Sequence, residues 1–217
     1  VNGTDKTMAD IHALGDKSYC TQGSETQSGL ASAIGGCGAI QVEHVNAIAS
    51  LARLGTYKPY STVLEVKNNN GDVLKKYTEE SKQVLDPQAA YIVADILHDD
   101  APRAGLHGTN RKGFVIPNVP TATKTGTSDL DRNAKDIWAV SYSPVLAMGV
   151  WFGNSDNTIL ANASSAMAAI PIADVMSYAH TDVYAKDGKW KTNDWFTAPT
   201  GIQKINGEIY PSYYNKK

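Results

Sequence analysis

The sequence predicts an α+β domain in which an antiparallel sheet is flanked by helices. Three strand-like runs follow one another closely at 121–129, 136–143 and 145–152, the last two joined around Pro144. Apolar residues recur at helical spacing in segments near 4–14, 42–52 and 87–98. Between the second and third of these, residues 62–67 and 72–77 flank Asn68-Asn69-Asn70-Gly71, a hairpin signature because Asn-Gly tolerates the positive φ angles of tight turns.

Composition narrows the function classes. A chain of 217 residues, 42% hydrophobic and 19% charged, can bury one well-packed core. A net charge of −2 gives no electrostatic footprint for nucleic acid or an anionic membrane. No apolar run approaches the roughly 18 residues of a spanning helix, and no signal peptide opens the chain, so the chain itself is predicted to be soluble. Cys20 and Cys37 are too few for a disulfide scaffold and lack metal-ligand spacing. A single bridge and two separate buried thiols both remain open.

Taken in order, Thr4 is a candidate cap for a first helix carrying Met8, Ile11 and Leu14 on one face, ended by Gly15. His12 reads as a surface or core residue. Residues 18–28 are polar and loop-like. The run Gly35-Gly36-Cys37-Gly38 matches neither a dinucleotide nor a Walker pattern, so no nucleotide is predicted. Val42, Val45, Ile48, Ala49 and Ala52 form a core-facing stripe, with His44 on the solvated side, and Gly55 closes this helix. Asp86 caps a helix from Pro87 to about His98. His98-Asp99-Asp100 resembles a metal triplet, but adjacent residues on a helix cannot converge on one ion, so it reads as a solvated helix end. Residues 101–120, with Arg103, His107, Arg111 and Lys112, suit a flexible loop beside a groove. An alanine-rich helix over 161–179, bent or started at Pro171, is expected to pack across the sheet. Residues around Asn206-Gly207 read as a small hairpin in a tail.

The chemistry concentrates in Thr121-Ala122-Thr123-Lys124-Thr125-Gly126-Thr127-Ser128-Asp129. In an extended segment alternate side chains share a face, so Lys124 points one way while Thr125 and Thr127 point the other. Two hydroxyls can then meet a carboxylate on one side, with an ammonium supporting the groove from the other. Gly126 removes a Cβ where a ligand backbone could come close. K-T-G is one of three serine acyl-enzyme motifs, alongside S-x-x-K and S-D-N or S-x-N.

Lys124-Thr-Gly-Thr, followed by Asp136-Ile-Trp-Ala-Val-Ser-Tyr-Ser-Pro, Gly149-Val-Trp-Phe-Gly-Asn and Asp156-Asn157, resembles the end of a bifunctional (class A) penicillin-binding protein transpeptidase domain. The resemblance implies a partial penicillin-binding protein/serine β-lactamase-like fold, with 1–180 its C-terminal portion and 181–217 a tail. It implies that Lys124 lends charge to the groove, that Thr125, Gly126 and Thr127 bind substrate, and that the Thr127 N–H is an oxyanion donor. No cofactor or metal is implied. Implied partners are peptidoglycan stem peptides ending in D-Ala-D-Ala, β-lactams, and the upstream half of the same domain, or a second copy of the fragment. The implied location is the extracytoplasmic face of the bacterial cytoplasmic membrane, through an anchor and usually a glycosyltransferase domain upstream.

No serine in the sequence has a lysine three places on, so the nucleophile and its base are expected upstream of Val1, and the isolated chain is expected to be inactive. Ser155-Asp156-Asn157 is a literal S-D-N triplet, but it follows K-T-G instead of preceding it, and reads as a decoy. Thr123 stands where many relatives carry glycine or a small apolar residue. The rival readings are a catalytically silent binding or structural module, favoured by the missing S-x-x-K, and a β-lactamase or carboxypeptidase of the same superfamily.

Overall fold

The computed structural model describes residues 3–21, 29–109 and 111–215. Helix α1 (Gly3–Leu14) leads through a 3-10 turn (Gly29–Ile34) to α2 (Gln41–Ala52). Two small antiparallel pairs follow: β1 (Thr56–Tyr57) with β4 (Lys82–Gln83), enclosing the exposed hairpin β2 (Glu65–Lys67)–β3 (Val73–Lys76). Next come α3 (Pro87–His98), the short α4 (Ala104–His107), and the main sheet of β5 (Ala122–Leu130), β6 (Asn133–Tyr142) and β7 (Ala147–Gly153), antiparallel in that spatial order. Helix α5 (Ser165–Tyr178) runs into a wider helical turn (Ala179–Tyr184), and the hairpin β8 (Gln203–Ile205)–β9 (Glu208–Tyr210) ends the described chain.

The sheet is covered on both faces, which is why the second half of β6, Ile137-Trp138-Ala139-Val140 through Tyr142, is apolar apart from Ser141. Ile137 and Ala139 face α5, where Ala166, Ala168, Ala169 and Ala173 let the helix approach closely around Ile172 and Met176. Burying an Ile or Met side chain contributes about 1.5–3 kcal/mol. On the other face Ala122 and Tyr142 pack with Ala94 of α3 and Phe196 of the C-terminal segment, supported by Ile48 and Leu51 of α2. Gly149 is where α2 meets the sheet: a Cβ there would lie 2.5 Å from Val45 Cγ2.

Several expectations are corrected. Thr4 lies inside α1, which begins at Gly3. In α2 the most buried residues are Asn46, Ala47 and Ser50, because α1 covers that side, while Val42 is 46% exposed. Asn46 donates to the Lys58 carbonyl and Ser50 to the Leu14 carbonyl, so hydrogen bonds compensate the burial of these polar groups. Pro171 sits inside α5, which starts six residues earlier at Ser165, behind the Ser164 cap. Asp86 caps α3 as expected, accepting from the Gln88 N–H at 2.7 Å.

Cys20 and Cys37 form a disulfide that ties the end of the α1 turn to the approach of α2. Most of the polar stretch expected as a loop, 22–28, lies outside the described residues. At the other end of the chain, Trp190 joins the α5 core and Phe196 the α3 core. Gln88 clasps the final segment: its side chain donates to the Thr200 carbonyl and Ser212 Oγ and accepts from the Ser212 N–H at 2.6 Å.

Candidate functional site

Strand β5 forms one edge of the main sheet and pairs only with β6 among the described residues. The register places Thr123 opposite Ser141, Lys124 opposite Val140, Thr125 opposite Ala139, Gly126 opposite Trp138 and Thr127 opposite Ile137. Cross-strand partners share a face, so Thr123, Thr125 and Thr127 lie on the α5 side, with Lys124 and Gly126 on the α2–α3 side. Burial falls away along the strand: Ala122 and Thr123 are in the core, whereas Lys124, Gly126 and Thr127 are exposed and Thr125 is half-buried. Thr123 is accommodated by polar pairing, its hydroxyl 2.8 Å from Ser141 Oγ and 3.3 Å from Thr121 Oγ1. The Lys124 ammonium folds back onto the Thr125 carbonyl.

The segment 101–120 is not a bare loop. It carries α4 and is fastened by Arg103, which donates to the carbonyls of Leu97, Asp99 and Thr123 and pairs with Asp100 at 3.5 Å. Gly113 lets it cross α5, since at φ +98° a Cβ there would lie 2.3 Å from the Ala169 carbonyl oxygen. The strap and the start of α5 border an open cleft of about 590 Å³ along β5, lined by Thr127, Asp129, His107, Arg111, Arg132 and Ser164 among others. His107 stacks on Phe114 with ring centroids 4.7 Å apart. Burial holds its pKa below the ordinary histidine value, and Arg111, Arg103 and Lys124 push it further down. The edge of the K-T-G strand is therefore an electropositive environment built from two directions, suited to a carboxylate.

On the other face, Trp138 lies opposite Gly126. A Cβ at Gly126 would meet nothing closer than Trp138 Cβ at 3.8 Å, so the protein itself does not require glycine there. His44 packs edge-on against Trp138, centroids 5.8 Å apart, and its Nδ1 lies 2.8 Å from Oδ2 of the buried Asp16. His44 is thus half-buried and partnered, not on a solvated side as expected. This pair escaped sequence reasoning because 28 residues separate its members.

No family model matches the chain. It is 29% identical over 156 residues to penicillin-binding protein 1A of Clostridium acetobutylicum, covering 72% of this chain and 17% of the relative. Over 121 residues it is 33% identical to penicillin-binding protein 2D of Bacillus subtilis, covering 55% of this chain and 17% of that protein. Both relatives are penicillin-binding proteins. The penicillin-binding protein PonA1 from Mycobacterium tuberculosis superposes with a TM-score of 0.69 at 23% identity, over 96% of this chain and 55% of that one. Penicillin-binding protein 1A from Haemophilus influenzae gives 0.69 at 16% identity, over 98% of this chain and 36% of that one. The fold is the α+β transpeptidase fold of penicillin-binding proteins. The chain spans less than a fifth of the length of the clostridial and Bacillus relatives.

Against this penicillin-binding protein fold, the other hydroxyl-bearing candidates fall away from the K-T-G edge. Ser155-Asp156-Asn157 lies in an exposed turn after β7, the opposite edge of the sheet, where Asp156 accepts from the Thr158 N–H and hydroxyl. Ser143 Oγ lies 2.8 Å from His180 Nε2, a nucleophile-and-base pairing by type, but both residues are fully buried. The Ser143 oxygen also accepts from the Val145 and Leu146 N–H groups, which marks it as a turn-holding hydroxyl. The triplet His98-Asp99-Asp100 diverges, His98 toward the Thr121 carbonyl, Asp99 onto the Ala101 N–H and Asp100 toward Arg103.

Proposed function

We propose that this chain is the K-T-G-bearing C-terminal portion of a peptidoglycan D,D-transpeptidase that cross-links stem peptides through a serine acyl-enzyme and is acylated by penicillins. The observation that carries this reading is an exposed edge strand with Lys124-Thr125-Gly126-Thr127 beside an electropositive cleft, in a fold whose solved neighbours are penicillin-binding proteins. Thr125 and Thr127 bind the C-terminal carboxylate of a D-Ala-D-Ala donor or of a β-lactam, and Lys124 supplies positive charge behind them. Gly126 gives the ligand backbone room, and the Thr127 N–H is one of two oxyanion donors, each typically worth about 10²–10³ in rate. The serine and its lysine base come from the upstream half of the domain, since no serine in this sequence has a lysine three residues on. Serine oxygen attacks the carbonyl between the two D-alanines, the terminal D-alanine leaves with the proton, and a neighbouring stem-peptide amine displaces the enzyme.

In this reading residues 1–180 are the transpeptidase portion and 181–217 a packed tail. The intact protein carries a membrane anchor and a glycosyltransferase domain and works on the extracytoplasmic side. The Cys20–Cys37 bridge supports an oxidising compartment. No described helix is long and apolar enough to cross a membrane. The upstream half covers the free edge of β7, where Trp151 and Phe152 are exposed, and the outer face of α5 at Met167, Ile170 and Tyr178. Without that half the chain is inactive and self-associates through these surfaces.

Intact-mass spectrometry after incubation with a penicillin tests the assignment. The drug mass is expected on the upstream half when the two halves are combined, and never on this chain alone. Acylation of this chain would overturn the split. Absence of acylation from the combined halves would favour the second reading, a silent binding module, which the missing S-x-x-K motif supports.

A further inference from the structure

We infer that the cleft beside Thr127 is a second anion subsite, in which Arg111 receives a carboxylate carried elsewhere on the ligand that the K-T-G strand binds. This rests on the transpeptidase reading of that strand and adds an acidic substituent to the chemistry of its preferred donor. The cations around the cleft differ in how far they are already committed. Arg103 is spent on three carbonyls and Asp100, and Lys112 pairs with Asp174 at 2.7 Å. Arg111 and Arg132 form no ion pair with any carboxylate among the described residues.

Arg111 is also oriented in advance. Its Nη1 donates to the His107 carbonyl at 3.2 Å, which fixes one edge of the guanidinium and leaves the fork's other donors for a ligand. The one carboxylate lining the cleft, Asp129, accepts the Arg132 N–H across the β5–β6 turn and lies beyond Thr127 along the strand. Two unpaired guanidiniums against one hydrogen-bonded carboxylate leave the cleft net positive. His107, kept neutral by burial and its cationic neighbours, can add a hydrogen bond without a charge. A cleft of about 590 Å³ holds far more than one carboxylate, so a substituent of the ligand can enter with it.

The test uses the intact protein containing this sequence and two penicillins that share a phenylacetyl side chain, one bearing an added carboxylate on it. Second-order acylation rates are measured for the parent protein and for Arg111→Gln. The ratio of the anionic to the neutral rate is expected to fall about tenfold or more in Arg111→Gln, the size of a lost charge-assisted hydrogen bond. In the parent protein the anionic rate should fall more steeply with salt than the neutral one, a readout that holds even if the variant folds poorly. A ratio unchanged by the substitution, or equal salt slopes, would overturn the subsite. Failure of either penicillin to acylate the parent protein would instead overturn the transpeptidase reading.

Discussion

Ser143 Oγ and His180 Nε2 lie 2.8 Å apart in the core, joining the β6–β7 turn to the helical extension of α5. His180 Nδ1 lies 2.6 Å from the Met176 carbonyl and donates to it, which in the neutral ring leaves Nε2 to accept from the serine hydroxyl. Burial pushes its pKa below the ordinary histidine value, partly offset by the Met176 carbonyl. Protons therefore bind the unfolded chain more readily. The contribution of His180 is fully present above about pH 6.5 and is lost as pH falls from there through the lowered folded value. Thermal melts between pH 8 and 5 should show a falling Tm that flattens in His180→Gln. Parallel curves for the two proteins would contradict this.

The disulfide makes a second prediction. It closes a loop between positions 17 apart in sequence, and a closure of that size contributes about 3 kcal/mol. Reduction, or Cys20→Ser with Cys37→Ser, should lower Tm by roughly 6–12 °C for a domain of this size. Calorimetry with and without reductant measures it.

Two glycines on the same sheet should separate folding from function. Gly126→Ala adds a methyl that meets nothing closer than 3.8 Å, so stability should change by no more than about 0.5 kcal/mol. Gly149→Ala drives a Cβ to 2.5 Å from Val45 Cγ2 and should cost about 1–3 kcal/mol. Penicillin acylation of the intact protein should nevertheless suffer in Gly126→Ala, because the added methyl takes ligand space.

Thr127→Val keeps the shape of an exposed side chain and removes one hydroxyl donor from the cleft. Loss of a hydrogen bond to a carboxylate, about 1.5–3 kcal/mol, should slow acylation by roughly 10–100-fold with Tm nearly unchanged. Stopped-flow measurement with a chromogenic β-lactam distinguishes this from a folding defect.

Much of the fold was legible because its signals are local. The three sheet strands, the β2–β3 hairpin, the Asp86-capped α3 and the K-T-G faces all follow from periodicity and turn chemistry within a few residues. Tertiary contact decided the rest. In α2 the expected stripe packs through Val45, Ile48 and Ala52, but a second buried side with Asn46 and Ser50 was not legible, because α1 covers it and supplies an acceptor for Ser50. His44 left the solvent because Asp16 and Trp138, distant in sequence, hold it. Spacing cannot reveal a buried Ser143–His180 pair separated by 37 residues, nor the bridge between Cys20 and Cys37. At the site, residue types and faces were readable, but the packing of the 101–120 strap against β5 and α5 was not.

The Gln88 clasp gives the last residues of the chain a role in guarding its interior. Residues beyond 180 supply Trp190 and Phe196 to the two cores, and the clasp keeps the path back to α3 closed. A stop codon placed after α5 would remove Trp190 from one hydrophobic layer and Phe196 from the other.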